Sequence, residues 1–369
     1  MKTRILHYVS KMNRGGQETF IMNVFRSIDR GQVGLDFLCT ESGEGDYDKE
    51  IKKMGGSIYN LPPLENKHLK MFALLYSLWI ELKRLSKNHD IFEIHTQHAM
   101  DAFLSSIVAK KAGFKTVIVH SHNTNTLYHR KLHFVFRPLL QMINIKRFAC
   151  GEEAGKWMFG TSKFLIINNG INIREFTFSQ QQRNVVRREN HLENTVVIGH
   201  VGRFNKQKNQ AFIIKVFQEF LKLHPKSKLL FIGAGEDKPQ IEDMVKQSSL
   251  ENKVEFCGAR NDVNKLYQAM DLFILPSFFE GLPVVLVEAQ ASSLPCLVSD
   301  SVTREVEVTD RIEFLSLKED ASVWANKLNE LLVKFNNRKD EILAIRKHGY
   351  DIHDVSKKLE KLYIQYNGE

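Results

Sequence analysis

The amino-acid sequence predicts an α/β protein built from two Rossmann-like domains, each a parallel sheet with helices on both faces. Three observations carry this. Short apolar runs alternate with longer amphipathic ones, the signature of strands joined by helices. The alternation stops once, in a polar stretch at 171–194, and then restarts. A chain of 369 residues also suits two domains of roughly 100–200 residues each.

In the first half, strands are expected at 3–9, 35–39, 91–95, 116–121 and 163–167, and helices near 16–28, 69–87, 100–112 and 131–145. The stretch NIREFTFSQQQRNVVRRENHLEN is poor in apolar periodicity and reads as a connection between domains. In the second half, strands are expected at 195–203, 228–233, 253–257, 271–275 and 295–298. Helices are expected there at 208–223, 238–248, 262–269, 283–292, 320–335 and 351–366. The domain expectation is therefore 1–175, a linker at 176–194, a second domain at 195–348 and a terminal helix from 349 to 369.

Composition excludes several classes. Hydrophobic residues make up 43% and charged residues 26%, which is ordinary for a globular chain and wrong for a disordered or collagen-like one. Cys39, Cys150, Cys257 and Cys296 show no short spacing, so they read as buried free thiols in a reducing cytoplasm. MKTRILHYVS is too short in apolar residues for a signal peptide. MFALLYSLWI, at 71–80, is half the length of a spanning helix and reads as a core helix.

Charge is unevenly shared. Residues 1–190 hold 28 Lys+Arg against 17 Asp+Glu, whereas 191–369 hold 24 against 26. The whole chain carries a formal +9, which points to a polyanionic partner without choosing one.

Five stretches could carry chemistry. In DLFILPSFFEGLPVVLVEAQA, a strand leads into a loop with Glu280, Gly281 and Leu282, and a helix begins near Pro283. The N–H groups of Leu282, Val284 and Val285 at that helix start form an anion or hydroxyl site. Glu288 lies just over two turns beyond Glu280 and is expected to point the same way; inside an apolar run its carboxylate needs a partner. In VIGHVGRFNKQKN, Gly202 ends a strand, and Arg203 and Lys208 occupy the following turn, a pair suited to a diphosphate. Gly233 and Gly235 form a GxG, but Lys238 replaces the third glycine of a dinucleotide fingerprint, which disfavours a nicotinamide or flavin fold. Gly15 and Gly16 follow the first strand and allow close approach of a ligand, although a plain tight turn would explain them as well. His120 and His122, two apart at a strand end, share one face. Read alone, one such His is ordinarily a hydrogen-bonded structural residue. Asp46 and Asp48 form a DxD that helix capping explains, and His129 and His133 lack the Glu of a zinc-protease helix.

GGQE, HSHN, INNGIN, VGR with KN, GAGED and EGLPVVLVEAQA together resemble glycosyltransferase family 4, over essentially the whole chain and in family order. These are retaining nucleotide-sugar transferases with two facing Rossmann-like domains, the GT-B fold. Among them, the chain looks most like bacterial exopolysaccharide and capsule transferases. The resemblance implies that Glu288 binds the ribose hydroxyls, while Arg203 and Lys208 hold and stabilise the leaving diphosphate. Glu280, with the N–H groups from Gly281 through Leu282 and Pro283's loop to Val284, would hold the donor sugar. Gly16, beside Gly15, would let the first loop reach the diphosphate, and His122 would sit at the reacting centre. Gly202, Gly233 and Gly235 would line the nucleotide-sugar site. No cofactor and no metal is implied, and the terminal helix would pack on the first domain. Many relatives carry Gly or Asn where this chain has Pro283, and the Pro form is also familiar.

A UDP-sugar donor follows from family frequency, and a saccharide or polyprenyl-linked acceptor from the subgroup. Residues 128–148 mix Arg130, Lys131, Arg137, Lys146 and Arg147 with large apolar residues, a pattern that suits the anionic inner face of the plasma membrane as well as a core helix with a basic side. Competing readings are a nucleotide-sugar epimerase or hydrolase on the same fold, and a nucleic-acid-binding protein. The last is disfavoured, because no base-stacking motif accompanies the charge.

Overall fold

The computed structural model describes residues 2–62, 70–125 and 130–368. The chain divides into two compact units. One comprises Met1–Gly170 and Ile352–Glu369, the other Ile171–Asp351.

The first unit opens with β1 (Thr3–Val9), α1 (Gly16–Ser27), β2 (Val33–Cys39), α2 (Asp48–Lys53) and β3 (Ile58–Asn60). It continues through α3 (Lys70–Leu85), β4 (Ile91–Thr96), α4 (Ala99–Ala112), β5 (Thr116–Ser121), α5 (Arg130–Met142), β6 (Lys146–Ala149), α6 (Glu152–Phe159) and β7 (Leu165–Ile166). The seven strands form one sheet in the order β3-β2-β1-β4-β5-β6-β7. Every pairing is parallel. Covered on both faces, such strands carry near-continuous apolar runs; Ile5, Phe37, Ile91, Ile118 and Phe148 are buried with Phe20 and Phe25 of α1.

The second unit contains α7 (Ile173–Phe176), α8 (Gln180–Glu189), β8 (Val196–Val201), α9 (Gln210–Leu223), β9 (Ser227–Ile232), α10 (Lys238–Gln247), β10 (Val254–Gly258) and α11 (Val263–Ala269). It ends with β11 (Leu272–Leu275), α12 (Val284–Ala291), β12 (Cys296–Ser299), β13 (Ile312–Leu315), α13 (Ala321–Lys334) and α14 (Ile342–Lys347). Its six parallel strands run β10-β9-β8-β11-β12-β13. The order reverses direction between β8 and β11, which opens a crevice at the carboxyl ends of those strands. The last helix, α15 (Ile352–Asn367), belongs to the first unit, where Val355, Leu359 and Tyr363 enter the core.

The stretch read as a linker, 176–194, is instead an ordered part of the second unit. Only Val186 of α8 is buried, so apolar periodicity could not reveal the helix. Charge holds it: Arg187 donates to Asp271 Oδ2 at 3.1 Å, Arg183 pairs with the other oxygen, and the Val197 N–H donates to the same carboxylate at 2.8 Å.

Gly233 and Gly235 have a packing role. Their φ values are +143° and +159°, and a Cβ would meet Gly202 O at 2.0 Å and Phe204 O at 2.2 Å. The turn after β9 thus lies directly on the turn after β8, joined by Phe204 N–H to Ala234 O at 3.0 Å.

Asp271→Ala should lower unfolding free energy by roughly 3 kcal/mol, because two half-buried guanidinium groups lose their counter-ion. Urea denaturation checks this, and an unchanged midpoint would contradict it.

Candidate functional site

In the second unit, the crevice is built from the turns after β8 and β11. Gly202 and Arg203 leave β8, and a single 3-10 turn spans Lys206–Lys208. The Asn205 side chain accepts from the Lys208 N–H at 3.2 Å, fixing that turn. The following residue, Asn209, takes the left-handed conformation at φ 57° to start α9. Its side chain donates to Pro276 O at 3.2 Å, and the Phe278 N–H donates to Gln207 O at 2.9 Å. Gln207 Nε2 donates to Phe279 O at 2.8 Å and to Glu280 Oε2 at 3.3 Å. Lys208 Nζ lies 2.6 Å from Glu280 Oε1, with both side chains largely buried. The two turns are therefore stitched together, and Lys208 and Glu280 compensate each other's charge.

Arg203 is different. Its side chain is 70% exposed and meets Glu236 at 3.1 Å, itself 59% exposed. A surface pair of this kind is worth little, so the guanidinium can turn to an anion at small cost.

Gly281, Leu282, Pro283 and Val284 are buried between Glu280 and the body of α12. Pro283 caps the helix in an extended conformation, and the first helical residue is Val284, one position later than expected. Helical phase therefore does not extend back to Glu280, and the expectation that both carboxylates project along one line does not hold on that ground. Glu280 faces Lys208, whereas Glu288 faces Tyr267 of α11, whose hydroxyl donates to Oε2 at 3.0 Å and also reaches Val285 O at 3.2 Å. Burial pushes the Glu288 carboxyl up to about 7, and the Tyr267 hydrogen bond opposes the shift. The partner required of a carboxylate in this apolar helix is thus a neutral hydroxyl.

In the first unit, His122 is one of four buried imidazoles at the carboxyl edge of the sheet. His7 Nδ1 lies 2.8 Å from His95 Nε2, and His95 Nδ1 lies 2.9 Å from His122 Nε2. His120 stacks on His122 at 4.1 Å and sits 2.9 Å from Glu93 Oε1; the other Glu93 oxygen accepts from the Tyr363 hydroxyl at 2.6 Å. Burial pushes His122 well below the usual imidazole range, His120 and His7 push the same way, and Asn169 opposes them. Nitrogens of His95, His120 and His122 lie within 4.8 Å of one another, a set that could hold a metal ion.

Gly15 and Gly16 precede α1 in the same unit. A Cβ on Gly15 would strike Glu18 Oε2 at 2.3 Å, since Glu18 folds back over the helix start, as the third residue of a capping box does. Among the described residues nothing lies within 4 Å of a Cβ on Gly16, and its φ is not in the left-handed region. The fold of this unit gives no reason for glycine there.

Among the remaining motifs, Asp46 accepts the Arg14 N–H at 3.1 Å and Asp48 is the first residue of α2. His133 is buried against Trp157 at 3.9 Å, while His129 lies outside the described residues. Of the basic segment, residues 128 and 129 are outside the described set, and two of its five cations have structural duties. Arg147 donates to the carbonyls of Gln141 and Ile143 at the end of α5, and Lys146 sits 4.2 Å from the Tyr366 ring. Arg130 and Arg137 instead lie over the exposed Phe134 ring. The expected core helix α3 also shows an open side: Phe72, Tyr76 and Ile80, four residues apart, are exposed. No helix among the described residues is long and apolar enough to cross a membrane.

Sequence reasoning missed Tyr267, Gln207, Glu18, His7, Glu93 and His95. Glu18 was visible as the acidic third residue of a helix start. Glu93 and His95, like His120 and His122, were visible as polar residues two apart in apolar strands.

A family model described as glycosyl transferases group 1 matches residues 181–348. EpsF of Bacillus subtilis (strain 168), a protein named as a glycosyltransferase, is 33% identical over 338 residues, covering 87% of this chain and 86% of that one. An Escherichia coli UDP-Gal:alpha-D-GlcNAc-diphosphoundecaprenol alpha-1,3-galactosyltransferase is 24% identical, covering 98% and 97%. Among solved structures, Anabaena HepE in complex with UDP and glucose superposes with a TM-score of 0.77 at 16% identity, covering 98% of this chain and 99% of that chain. That likeness gives the chain the two-unit GT-B fold.

Glu288 and Glu18 are both raised to about 7 from 4.5. The folded chain then binds these protons more tightly than the unfolded chain, so the stability these two groups contribute is fullest below about 4.5 and declines as pH rises through about 7. In urea denaturation across that window, Glu288→Gln should flatten the decline; an unaltered pH slope would contradict the assignment.

Proposed function

Because the chain belongs to the group 1 glycosyl transferases, we propose that this enzyme moves a hexose, with retention at the anomeric carbon, from a UDP-sugar to a saccharide or polyprenyl-linked acceptor in exopolysaccharide or capsule assembly. The stitched Lys208–Glu280 crevice carries the reading. It is pre-formed, it lies at the carboxyl ends of β8 and β11, and its charges are held in register by Gln207 and Asn209.

In this reading, the leaving diphosphate lies along the turn after β8. Arg203 swings from Glu236 to meet it, and Lys208 shares its ammonium between the phosphate and Glu280. Glu280 accepts from donor-sugar hydroxyls, and the first-turn N–H groups of α12 add fixed positive potential. Glu288 accepts from the ribose hydroxyls while Tyr267 holds its other side. Gly202, Gly233 and Gly235 keep the floor of the site flat, and Gly16 provides close backbone approach. His122 faces the sugar at the reacting carbon. The acceptor hydroxyl attacks from the face the diphosphate leaves, the C–O bond to phosphate breaks as the new glycosidic bond forms, and the acceptor proton passes to the departing phosphate oxygen. The chain itself needs no nucleophile and no metal for these steps. The UDP-Gal donor and diphosphoundecaprenol-linked acceptor in the name of the E. coli relative support the choice of substrates.

The acceptor side is proposed to rest on an anionic membrane surface. Its contact face would be α5 with Arg130, Lys131 and Arg137, together with the exposed side of α3; both helices pack on α4.

Glu280→Gln should lower kcat by about a hundredfold or more while leaving UDP binding within about threefold, and Arg203→Ala should weaken both. A thermal-shift panel of UDP-, GDP- and dTDP-sugars identifies the donor; full activity in both variants would reject the site. Changing Arg130, Lys131 and Arg137 together to Gln should release the protein from phosphatidylglycerol vesicles, and unchanged vesicle binding would sink the membrane contact.

A further inference from the structure

From Ala102 to Gly151 the chain has eight Lys and Arg residues and no Asp or Glu. Arg130, Lys131 and Arg137 of α5 meet no carboxylate among the described residues, and the next acids along the chain, Glu152 and Glu153 of α6, pair with Lys156. Arg130 and Lys131 also stand in the first turn of a helix that has no acidic residue there, at the end where the helix dipole favours anions. Despite this crowding of positive charge, two of the cations are held together. Arg130 and Arg137 lie over one ring, Phe134, at 5.9 and 5.2 Å from its centroid.

Helical spacing divides α5 into two lines. Val135, Leu139 and Met142, at i, i+4 and i+7, form an exposed apolar line, with Lys131 one turn before Val135. Arg130, Phe134, Arg137 and Gln141 form the other, and it turns towards α6. Arg130 also lies 6.0 Å from the Trp157 ring centroid. A Cβ on Gly160, which has φ +61°, would stand 3.6 Å from Arg137 Nε. Gln141 Nε2 donates to Phe159 O at 2.8 Å, and His133 lies 3.0 Å from Trp157 O and stacks on that indole at 3.9 Å. The Trp157 Nε1–H in turn donates to Gln97 O at 3.1 Å. The two arginines thus sit in a formed notch between α5 and α6, with Arg137 half-buried. The apolar line suits lipid tails; the paired guanidiniums on its flank, fixed against aromatic rings, have the geometry of a discrete anion site.

We infer that Arg130 and Arg137 bind the diphosphate of an amphiphilic acceptor, an isoprenyl chain carrying two linked phosphates, and so position its saccharide for transfer. This rests on the reading that the acceptor is lipid-linked. Each guanidinium is a planar fork that takes a phosphate bidentately. Two forks about a single ring suit two linked phosphates better than one. Stacking on Phe134 and Trp157 uses no N–H group, so the donors of both forks stay available. Val135, Leu139 and Met142 beside them take the isoprenyl chain. Strands β5 and β6 are parallel, so α5 between them runs back from the carboxyl edge of the sheet. Its first turn, with Arg130, therefore stands at the edge that carries His122, where a saccharide joined to the diphosphate is needed.

The test is calorimetric titration of the full-length chain with geranyl diphosphate, without vesicles and with UDP at saturating concentration to fill the donor crevice. Binding is expected, with geranyl monophosphate about tenfold weaker. Arg130→Gln and Arg137→Gln should each weaken it about tenfold, whereas Lys131→Gln should leave it within about threefold. Arg130→Lys combined with Arg137→Lys keeps the charge but removes the forks. That pair should cost the diphosphate about tenfold in affinity and leave binding to phosphatidylglycerol vesicles within about twofold. In transfer to an isoprenyl-diphosphate saccharide, Arg137→Gln should raise the acceptor KM about tenfold with kcat within about twofold. Absence of binding in the unaltered protein overturns the inference, as does full affinity in both glutamine variants. Full affinity in the double lysine exchange, or an equal loss in Lys131→Gln, reduces the notch to surface charge and overturns it too. If the titrations come out as expected while a saccharide without lipid diphosphate is glycosylated as efficiently, the site stands and the lipid-linked acceptor falls.

Discussion

A carboxylate buried beside a parallel sheet persists only where donors reach it, and in this protein those donors come from distant parts of the chain. Asp36 of β2 is met by Arg4, His89 and the Ser57 N–H. Glu93 of β4 is met by His120 and by Tyr363 of the last helix. Asp271, at the start of β11, gathers α8 and β8. Glu280 gathers the turn after β8, and Glu288 joins α12 to α11. Each carboxylate thus acts as a joint that fixes the placement of its neighbours.

Two of these joints lie in the candidate site, where the same interaction that builds the fold sets the chemistry. Lys208 is already satisfied by Glu280, so in the proposed reading an arriving phosphate would compete for an ammonium in a formed geometry and would not order a loose side chain. Arg203 is held by an exposed partner and is the adaptable cation. One rigid and one mobile cation suit a ligand that must bind tightly and then leave. The glycines at 233 and 235 contribute by letting two backbones touch. A Cβ at either would separate the turns and displace the site they support.

The alternation of strands and helices was legible because parallel strands covered on both faces must be apolar along their length. The motif residues Arg203, Lys208, Glu280 and Glu288 were legible by type and spacing; the structure puts the first three on neighbouring turns of one unit and Glu288 in the helix that follows. What escaped was whatever depends on partners far away in sequence. Helix α8 looked like a linker because an Asp 84 or more residues away does the work of an apolar face. Tyr267 gave no sign that it would serve Glu288. Helix α3 looked like core because an apolar run does not record how many of its sides are covered. The imidazole chain was hidden for the same reason: His7 and His95 sit on two strands and His122 just past the end of a third, and only the sheet register brings them together.

The path of the chain between the units has a consequence for its synthesis. The chain leaves the first unit at Gly170 and returns at Ile352, so the second unit is a contiguous insertion in the first. During translation, residues 171–351 emerge as one uninterrupted piece with all six strands of their sheet. The earlier-made unit, in contrast, waits with Glu93 lacking its hydroxyl donor and with the part of β1, β2 and β4 on which α15 packs uncovered until Tyr363 has left the ribosome. The order of completion is therefore the reverse of the order of synthesis. The amino-terminal sheet is the part of the nascent protein that stays longest in need of protection.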